Sequence, residues 1–280
     1  MNNFKKSALV VAHPDDELLW FSSIISNVDK IIIVYNKTQN QIINKGRNKI
    51  FNSKILPYSN KLICLKLDEA NVFNKSNWKF PIPTKYGLKI NSKKYKYNFE
   101  KLCIKLLGEL KNCSNVITHN PWGEYGHEEH SQVFKAVEKI STQLNYSIWV
   151  SGYFSFQSFN LMSMYRNLID KKFYRKKIDY KFCKKVQLLY SSKKCWTWSD
   201  EYIWPQYESF FKITRNFLNL KKRYKNNIYS WDQMNLVSIY KTNITKYDYL
   251  RSKIIIAARY LLPQFFFKKI VKFNKKYVNI

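Results

Sequence analysis

The sequence predicts an α/β fold in which helices flank a mostly parallel, Rossmann-like sheet. Short apolar runs alternate with longer segments whose apolar residues recur at a helical period. This alternation is typical of parallel strands joined by right-handed crossover helices. Two polar motifs follow directly after apolar runs, and active sites in such sheets lie beyond the carboxyl ends of the strands. No G-x-G-x-x-G follows the first strand, so a dinucleotide-binding protein is not supported.

The predicted strands are short, apolar and bounded by polar residues, and they cover residues 6–12, 30–35, 61–67, 115–118 and 147–150. The predicted helices cover residues 15–25, 41–55, 97–110 and 130–144; the second is weak, and the third has a clear helical period. Pro, Asn and Lys residues are frequent in the segment 68–96, which we expect to be a long surface loop. Beyond about residue 153 the pattern becomes less regular, which predicts an irregular basic C-terminal extension.

The charge of the chain is its most unusual compositional property. The 280 residues include 49 basic and 19 acidic side chains, a net charge of +30, together with 45% hydrophobic and 17% aromatic residues. The hydrophobic content indicates a folded protein with a core and excludes a disordered chain. The charge indicates either an anionic partner, such as nucleic acid, a membrane surface or an acidic glycan, or a genome-wide bias towards Lys, Asn, Ile and Tyr. Both interpretations stay open.

The cysteines and the N-terminus bear on the compartment. Five scattered cysteines without a CxxC argue against a disulfide framework and against a cysteine zinc cluster. The apolar run near the N-terminus is short and soon followed by charges, so we expect no signal peptide, and no uncharged apolar stretch of about 20 residues occurs, so we expect no membrane-spanning helix. The expected location is the cytoplasm, with peripheral contact at the inner face of the membrane.

Two basic stretches with interleaved aromatic residues leave alternatives open. Residues 170–185 fit either single-stranded nucleic-acid binding or a solvated helix face, and we favour the helix face. Residues 249–273 fit a membrane interface with anionic lipid as well as they fit a core-packing helix followed by a basic tail. No specific nucleic-acid partner is expected.

The first polar motif, His13-Pro14-Asp15-Asp16-Glu17, ends the apolar run of the first strand. Charged groups at the end of a buried strand need a partner, and a metal ion is the strongest one available. Acidic residues also suit the positive end of a helix dipole. That alternative accounts for Asp15 and Glu17 but not for His13.

The second motif, THNPWGEYGHEEH at residues 118–130, contains three of the four histidines of the chain. A hydrolytic zinc site uses three imidazole or carboxylate ligands and an open position for water. His13 and Asp16 can point the same way from a strand-to-helix turn, and His130 can supply the third ligand. The sequence therefore predicts one divalent zinc ion.

The remaining polar residues of the motifs suit supporting roles. Asp15, beside the metal but not bound to it, is the candidate general base. His127 could donate a hydrogen bond to an oxyanion or a proton to a leaving amine. Glu129 could orient an imidazole from behind. His119 is either a fourth ligand or, as we favour, a residue that shapes the pocket.

The segments AHPDDE at residues 12–17 and GEYGHEEH at residues 123–130 resemble the motifs of the PIG-L/LmbE-like family of zinc-dependent N-acetylglucosaminyl deacetylases. The resemblance covers roughly residues 6–152. The second motif departs from the commoner YGHPDH form, with Glu128 and Glu129 in place of Pro and Asp.

Matched by position, the resemblance implies zinc ligation by His13, Asp16 and His130, with Asp15 as general base and His127 as acid or oxyanion stabiliser. It also matches Tyr125 to a tyrosine near the substrate carbonyl and Arg47 to a substrate-facing arginine. For Tyr125 the alternative is packing in the loop, and for Arg47 it is a solvated helix position.

The resemblance implies removal of an N-acetyl group from an N-acetylglucosamine-type sugar or glycoconjugate, with release of acetate. The basic charge favours a phosphorylated or lipid-linked substrate. Residues 1–152 would form the Rossmann-like catalytic core, and residues 153–280 would complete the deacetylase domain and add the basic, aromatic extension. The alternatives are a zinc amidase acting on a different amide conjugate and a non-catalytic basic protein that binds nucleic acid or membranes and keeps a vestigial site.

Overall fold

A seven-stranded sheet forms the centre of the structure, a computed structural model that describes residues 4–165, 168–214 and 233–237. Its strand order is β3-β2-β1-β6-β7-β10-β9. The strands are β1 (Ser7–Val11), β2 (Lys30–Lys37), β3 (Leu62–Asp68), β6 (Asn115–Thr118), β7 (Ser147–Ser151), β9 (Ile169–Lys177) and β10 (Tyr207–Ile213). Two small sheets pair β4 (Pro83–Thr84) with β5 (Gly87–Leu88) and β8 (Tyr153–Phe154) with β11 (Asn235–Leu236).

Strands β3, β2, β1, β6 and β7 are parallel to one another. Strand β10 pairs in antiparallel fashion with β7 on one side and with β9 on the other. All five residues of β1 are buried, as expected for a central parallel strand that is covered on both faces. The predicted α/β fold with a mostly parallel sheet flanked by helices is therefore confirmed.

The helices are α1 (Asp16–Phe21), α2 (Gln41–Ser53), α3 (Lys93–Leu110), α4 (Glu128–Leu144), α5 (Phe159–Tyr165) and α6 (Tyr180–Ser192). All four predicted helices are present; α1 and α2 end earlier than predicted, and α3 and α4 begin earlier. Helix α3 begins after Ser92, whose side chain accepts the N–H of Tyr95, and α4 begins after His127, whose ring accepts the N–H of Glu129. Each cap precedes the first residue of the apolar period, so periodicity alone places both starts too late.

Residues 153–214 are more regular than their sequence pattern indicates. They contain α5, β9, α6 and β10, and β10 pairs with β7 of the main sheet. The basic stretch 170–185 is divided between strand β9 and the start of α6, so the expected helix face applies only to its second half. Strand β9 is an edge strand, where lysine residues are tolerated and discourage pairing with other chains.

The sheet places the two polar motifs side by side. Strands β1 and β6 are neighbours, with Val10 opposite Thr118 in register. Both motifs therefore leave the same edge of the sheet, the carboxyl ends of two adjacent parallel strands. The predicted position of the active site in such sheets is this edge.

The basic, aromatic segment 249–273 lies outside the described residues. The described residues all fall in the first of two units, Met1–Ile239 and Tyr240–Ile280. Within the described part of the chain, no helix combines the length and apolar character needed to cross a membrane.

Candidate active site

The turn after β1 is held in a strained conformation. Asp15 has a φ of +90°, in the left-handed region that residues with a side chain rarely adopt. Its N–H donates to Oε2 of Glu17 over 3.0 Å, and Oε1 of Glu17 accepts the hydroxyls of Tyr58 (2.6 Å) and Tyr190 (2.5 Å). The buried Glu17 carboxylate thus holds the turn from behind. Such strain persists where the surroundings enforce it, commonly at functional sites.

The loop of the second motif is buried, and its polar groups are satisfied by the strands beside it. The side chains of Asn120 and Trp122 both donate to the carbonyl of Tyr153, over 2.8 and 2.7 Å. Gly123 has a φ of +69°, and a Cβ there would lie 2.3 Å from the carbonyl oxygen of His127. Glycine is therefore required at this position for the loop to turn back towards the site.

Asp16 is the meeting point of three imidazoles. Its Oδ2 lies 3.2 Å from Nδ1 of His13, 3.3 Å from Nε2 of His130 and 3.4 Å from Nε2 of His119. Its Oδ1 accepts the indole N–H of Trp20 over 3.0 Å. Burial alone would raise the pKa of Asp16, but the three histidines outweigh burial and hold the pKa well below its usual value. Asp16 is therefore an ionised carboxylate.

Two further carboxylates orient two of the histidine rings. Oε2 of Glu129 lies 3.0 Å from Nε2 of His13, and Oε2 of Glu124 lies 2.7 Å from Nδ1 of His130. Each contact occupies one ring nitrogen. The other nitrogen, Nδ1 of His13 or Nε2 of His130, faces Asp16. Carboxylate–histidine pairs of this kind set the orientation of the ring in metal sites.

The donor atoms in this cluster fit a metal ion. Ligand atoms of His13, Asp16 and His130 lie within 4.8 Å of one another, and all three residues are buried. Nε2 of His130 is buried and has no hydrogen-bond partner among the described residues. Buried polar atoms are rarely left unpaired, and two imidazoles with one carboxylate are donors that zinc accepts. A metal ion bound at this nitrogen would account for its lack of a partner.

His119 lies beside the cluster with both ring nitrogens engaged. Its Nε2 accepts the N–H of Ala12 over 2.9 Å, and its Nδ1 lies 2.9 Å from Oε2 of Glu124. The ring therefore ties the end of β1 to the second motif, an arrangement that favours the pocket-shaping role over ligation. Burial would raise the pKa of Glu124, but His119 and His130 outweigh it and lower the pKa to about 2.

The carboxylate of Asp15 lies next to the cluster but outside the group of three donors. Its Oδ2 accepts the N–H and the hydroxyl of Thr197, over 2.8 and 2.7 Å. Burial, reinforced by the negative charge of Asp16, raises the pKa of Asp15 to about 8. With this pKa the carboxyl is mostly protonated at pH 7, and a cation bound beside it would lower the pKa and favour the ionised form that can accept a proton.

His127 faces the cluster as a neutral imidazole. Its Nδ1 accepts the N–H of Glu129 over 3.2 Å, so the ring proton is on Nε2. Its ring stacks on those of His130 (centroids 4.7 Å apart) and Phe73 (5.0 Å). Burial lowers the pKa of His127 well below its usual value, and neighbouring His130 and His13 add to the effect. His127 is thus an N–H donor.

Tyr125 forms part of an aromatic wall at the site. Its ring centroid lies 4.8 Å from that of Trp198, 5.5 Å from Trp20 and 5.4 Å from His130. The ring of Phe73, a residue that is 43% exposed, lies with its centroid 6.0 Å from that of Tyr125. The Tyr125 ring both packs in the loop and faces the histidines, so the two interpretations of Tyr125 are not exclusive.

Arg47 is buried in helix α2, with only 3% of its surface exposed. Its Nη1 donates to Oε1 of Glu69 over 2.6 Å, and its Nε is buried without a hydrogen-bond partner in the described part of the chain. The alternative of a solvated helix position is therefore wrong, because the side chain is buried. The ion pair with Glu69 compensates its buried charge.

The contacts of three residues of the site do not follow from the sequence patterns. Glu124 had a local signal, since it is a third carboxylate of the second motif, six residues before His130. Glu17 was assigned to the helix dipole, whereas its carboxylate binds two tyrosine hydroxyls. Thr197 had no local signal, because it lies 182 residues along the chain from Asp15.

No family model matches the chain. The uncharacterised protein L374 of Acanthamoeba polyphaga mimivirus is 29% identical over 153 residues, which cover 50% of this chain and 60% of L374. The similarity thus spans less than two thirds of that relative.

Among solved structures, the zinc-inhibited form of teicoplanin deacetylase Orf2 is similar with a TM-score of 0.49 and 9% identity, covering 75% of this chain and 99% of Orf2. The A40926 pseudoaglycone deacetylase Dbv21 is similar with a TM-score of 0.47 and 9% identity, covering 76% of this chain and 98% of Dbv21. At this level of similarity neither structure supports a conclusion about the activity of this chain.

Proposed function

We propose that this chain is a zinc-dependent N-deacetylase, which removes the acetyl group from an N-acetylglucosamine-type sugar or glycoconjugate and releases acetate and a free amine. The observation that carries the proposal is the convergence of His13, Asp16 and His130, with the buried Nε2 of His130 unpaired among described residues. A separate carboxylate, Asp15, lies beside them, which is the arrangement that metal-assisted hydrolysis needs.

The ion would be held by His13 through Nδ1, by a carboxylate oxygen of Asp16 and by His130 through Nε2. When bound, zinc polarises a carbonyl and lowers the pKa of water to about 7. The contacts with Glu129 and Glu124 keep the two rings in the tautomers that this ligation requires.

Asp15 is the proposed general base. Its position beside Asp16, outside the three donors, allows its carboxylate to accept the proton of the attacking water. A cation held beside it would lower its pKa from about 8 and so favour the ionised form that can accept this proton. The proton is then available at Asp15 while the tetrahedral intermediate collapses.

His127 is the proposed hydrogen-bond donor to the oxyanion. Its Nδ1 is occupied by the N–H of Glu129, so Nε2–H is the group that can face a developing negative charge. A ring whose pKa is held well below its usual value acts as a neutral donor rather than as an imidazolium acid. We therefore propose oxyanion stabilisation as the role of His127, and the proton held by Asp15 is the one available to the leaving amine.

The same proposal includes the molecule that carries the N-acetyl sugar and the residues that form the catalytic domain. The net charge of +30 favours a phosphorylated or lipid-linked glycan, met at an anionic inner membrane surface in the cytoplasm. Residues 1–152 would be the catalytic core, and the pairing of β10 with β7 supports the role of later residues in completing the domain.

The test combines metal analysis with an acetate-release screen. Purified protein is assayed for bound zinc and incubated with neutral, phosphorylated and lipid-linked N-acetylglucosaminides, with amides of longer acyl chains as a further arm. We expect bound zinc and acetate release, both lost in His13→Ala and His130→Ala, and both kept in the surface control Glu100→Ala. Metal-free protein, or unchanged turnover in both histidine variants, would contradict the mechanism. Faster hydrolysis of amides with a longer acyl group would support the metal site but contradict the N-acetyl sugar as substrate.

A further inference from the structure

The loop that follows helix α6 supplies the only two hydrogen bonds that the described residues make to the side chain of Asp15. Both donors, the N–H and the hydroxyl of Thr197, reach the same oxygen, Oδ2, over 2.8 and 2.7 Å. Two donors on one oxygen fix the plane of the carboxylate and therefore the direction of its other oxygen. Thr197 itself is exposed, whereas Asp15 is buried. The contact therefore joins a buried carboxylate to an exposed residue.

A glycine in helix α2 provides the space for this loop. A Cβ on Gly46 would lie 2.1 Å from the carbonyl oxygen of Lys193 and 2.8 Å from Cβ of Cys195. Both distances are too short for a real contact, and the first one is to backbone, which cannot rotate away. Only glycine at position 46 therefore lets the segment 193–195 lie against the helix.

Thr197 is held from both sides along the chain. Before it, the N–H of Cys195 donates to the carbonyl of Tyr190 over 3.1 Å, at the end of α6. After it, the ring of Trp198 packs on Tyr125 (centroids 4.8 Å apart) and Trp20 (5.4 Å). The donor pair of Thr197 is thus presented to Asp15 by a braced segment, as a preorganised catalytic contact requires.

We propose that Thr197 is a positioning residue that aims the carboxylate of Asp15, and that Gly46 enables this contact by admitting the segment 193–195 against α2. The proposal rests on the proposed function, in which Asp15 is the general base. Thr197 acts through Asp15 and does not itself react. A base that is misaimed loses rate at the chemical step and leaves substrate binding largely intact.

The experiment compares four variants of the full-length, zinc-loaded protein. Thr197→Val removes the hydroxyl and keeps the shape and the backbone N–H, while Thr197→Ser keeps the hydroxyl. Ser199→Ala is the matched control in the same loop, because its hydroxyl accepts the N–H of Glu201 and does not contact Asp15. Gly46→Ala should displace the segment 193–195, and its kcat is compared with that of Thr197→Val. The Thr197→Val result tests the contact with Asp15 even if Gly46→Ala folds poorly.

We expect kcat for acetate release to fall roughly tenfold in Thr197→Val, since a hydrogen bond to a charged group is lost, with KM changed less than about twofold. Thr197→Ser should stay within about twofold of the unaltered protein in kcat, as should Ser199→Ala. Equal kcat in Thr197→Val and the unaltered protein, or an equal loss in Thr197→Val and Ser199→Ala, would overturn the positioning role.

Crystal structures of the unaltered protein and Thr197→Val give a readout that needs no turnover. We expect the Asp15 carboxylate to rotate in the variant. An unchanged carboxylate would overturn the inference even if deacetylation is established. Absence of zinc and of amide hydrolysis in the unaltered protein would instead refute the proposed function, and with it the catalytic meaning of this contact.

Discussion

Glu124 and His130 are joined by a contact of 2.7 Å between Oε2 and Nδ1, and this contact leaves Nε2 of His130 as the nitrogen that faces Asp16. The same oxygen of Glu124 lies 2.9 Å from Nδ1 of His119. One buried carboxylate therefore sets the orientation of two imidazoles whose rings stack with centroids 3.8 Å apart. The second motif is organised around Glu124 as much as around its histidines.

Glu124→Gln should weaken zinc binding about 10- to 100-fold, because loss of the carboxylate behind a ligating histidine lowers its basicity and frees its ring. Competition with a chromophoric chelator measures the affinity directly. Glu138→Gln is the matched control, since Glu138 is a largely buried glutamate that pairs with Lys135 on the far part of α4. Equal affinities in the two variants would show that Glu124 does not support the metal site.

Zinc should stabilise the folded protein. At a free concentration one hundred times Kd, binding to the native state alone adds about 2.7 kcal/mol, or roughly 5–10 °C in Tm for a chain of this size. Differential scanning fluorimetry with and without zinc measures the shift. His130→Ala should show no shift, and a chelator should reverse the shift in the unaltered protein. The same rise in both proteins would place the bound ion elsewhere.

Glu128→Ala should release the segment 74–78. The carboxylate of Glu128 accepts the N–H groups of Asn74 (3.1 Å) and Ser76 (2.8 Å) and the indole N–H of Trp78 (3.2 Å). Removing it leaves these donors without their acceptor, a cost of about 1–3 kcal/mol.

Hydrogen exchange followed by mass spectrometry should show faster exchange in the segment 74–78 of Glu128→Ala and little change elsewhere. Glu100→Ala, at an exposed ion pair with Lys139, serves as the control and should leave exchange unaltered. Equal exchange rates of the segment 74–78 in the two variants would mean that Glu128 does not anchor it.

Gly123→Ala should destabilise the protein by more than about 2 kcal/mol, because the left-handed backbone disfavours a side chain and the new Cβ would meet the carbonyl of His127. Gly108→Ala is the opposite case. No atom lies within 4 Å of a Cβ added there, in the exposed face of α3, so alanine should stabilise the helix by about 0.5–1 kcal/mol. Urea unfolding of the two variants measures the change in the free energy of unfolding. Equal changes in the two variants would contradict the prediction.

The elements that the sequence located well are those with a strong apolar signal. Strands β1, β2, β3, β6 and β7 appear within two residues of their predicted positions at each end, since buried parallel strands are apolar on both faces. Strand β9 was missed because it is a lysine-rich edge strand without such a run. The segment 68–96 was expected to be a loop, and its short hairpin β4–β5 carries too few residues for a periodic signal.

The sequence by itself determined the strand ends, the concentration of histidines and the candidate donors His13, Asp16 and His130, because apolar runs and short motifs are local properties of the chain. Only the tertiary structure decided that Glu124 orients His130, that Glu17 supports the turn from behind and that Thr197 contacts Asp15. A hydrogen bond is directional and acts over about 3 Å. Its partners therefore depend on which distant segments the fold brings together, and a side chain 182 residues away leaves no trace in the local pattern.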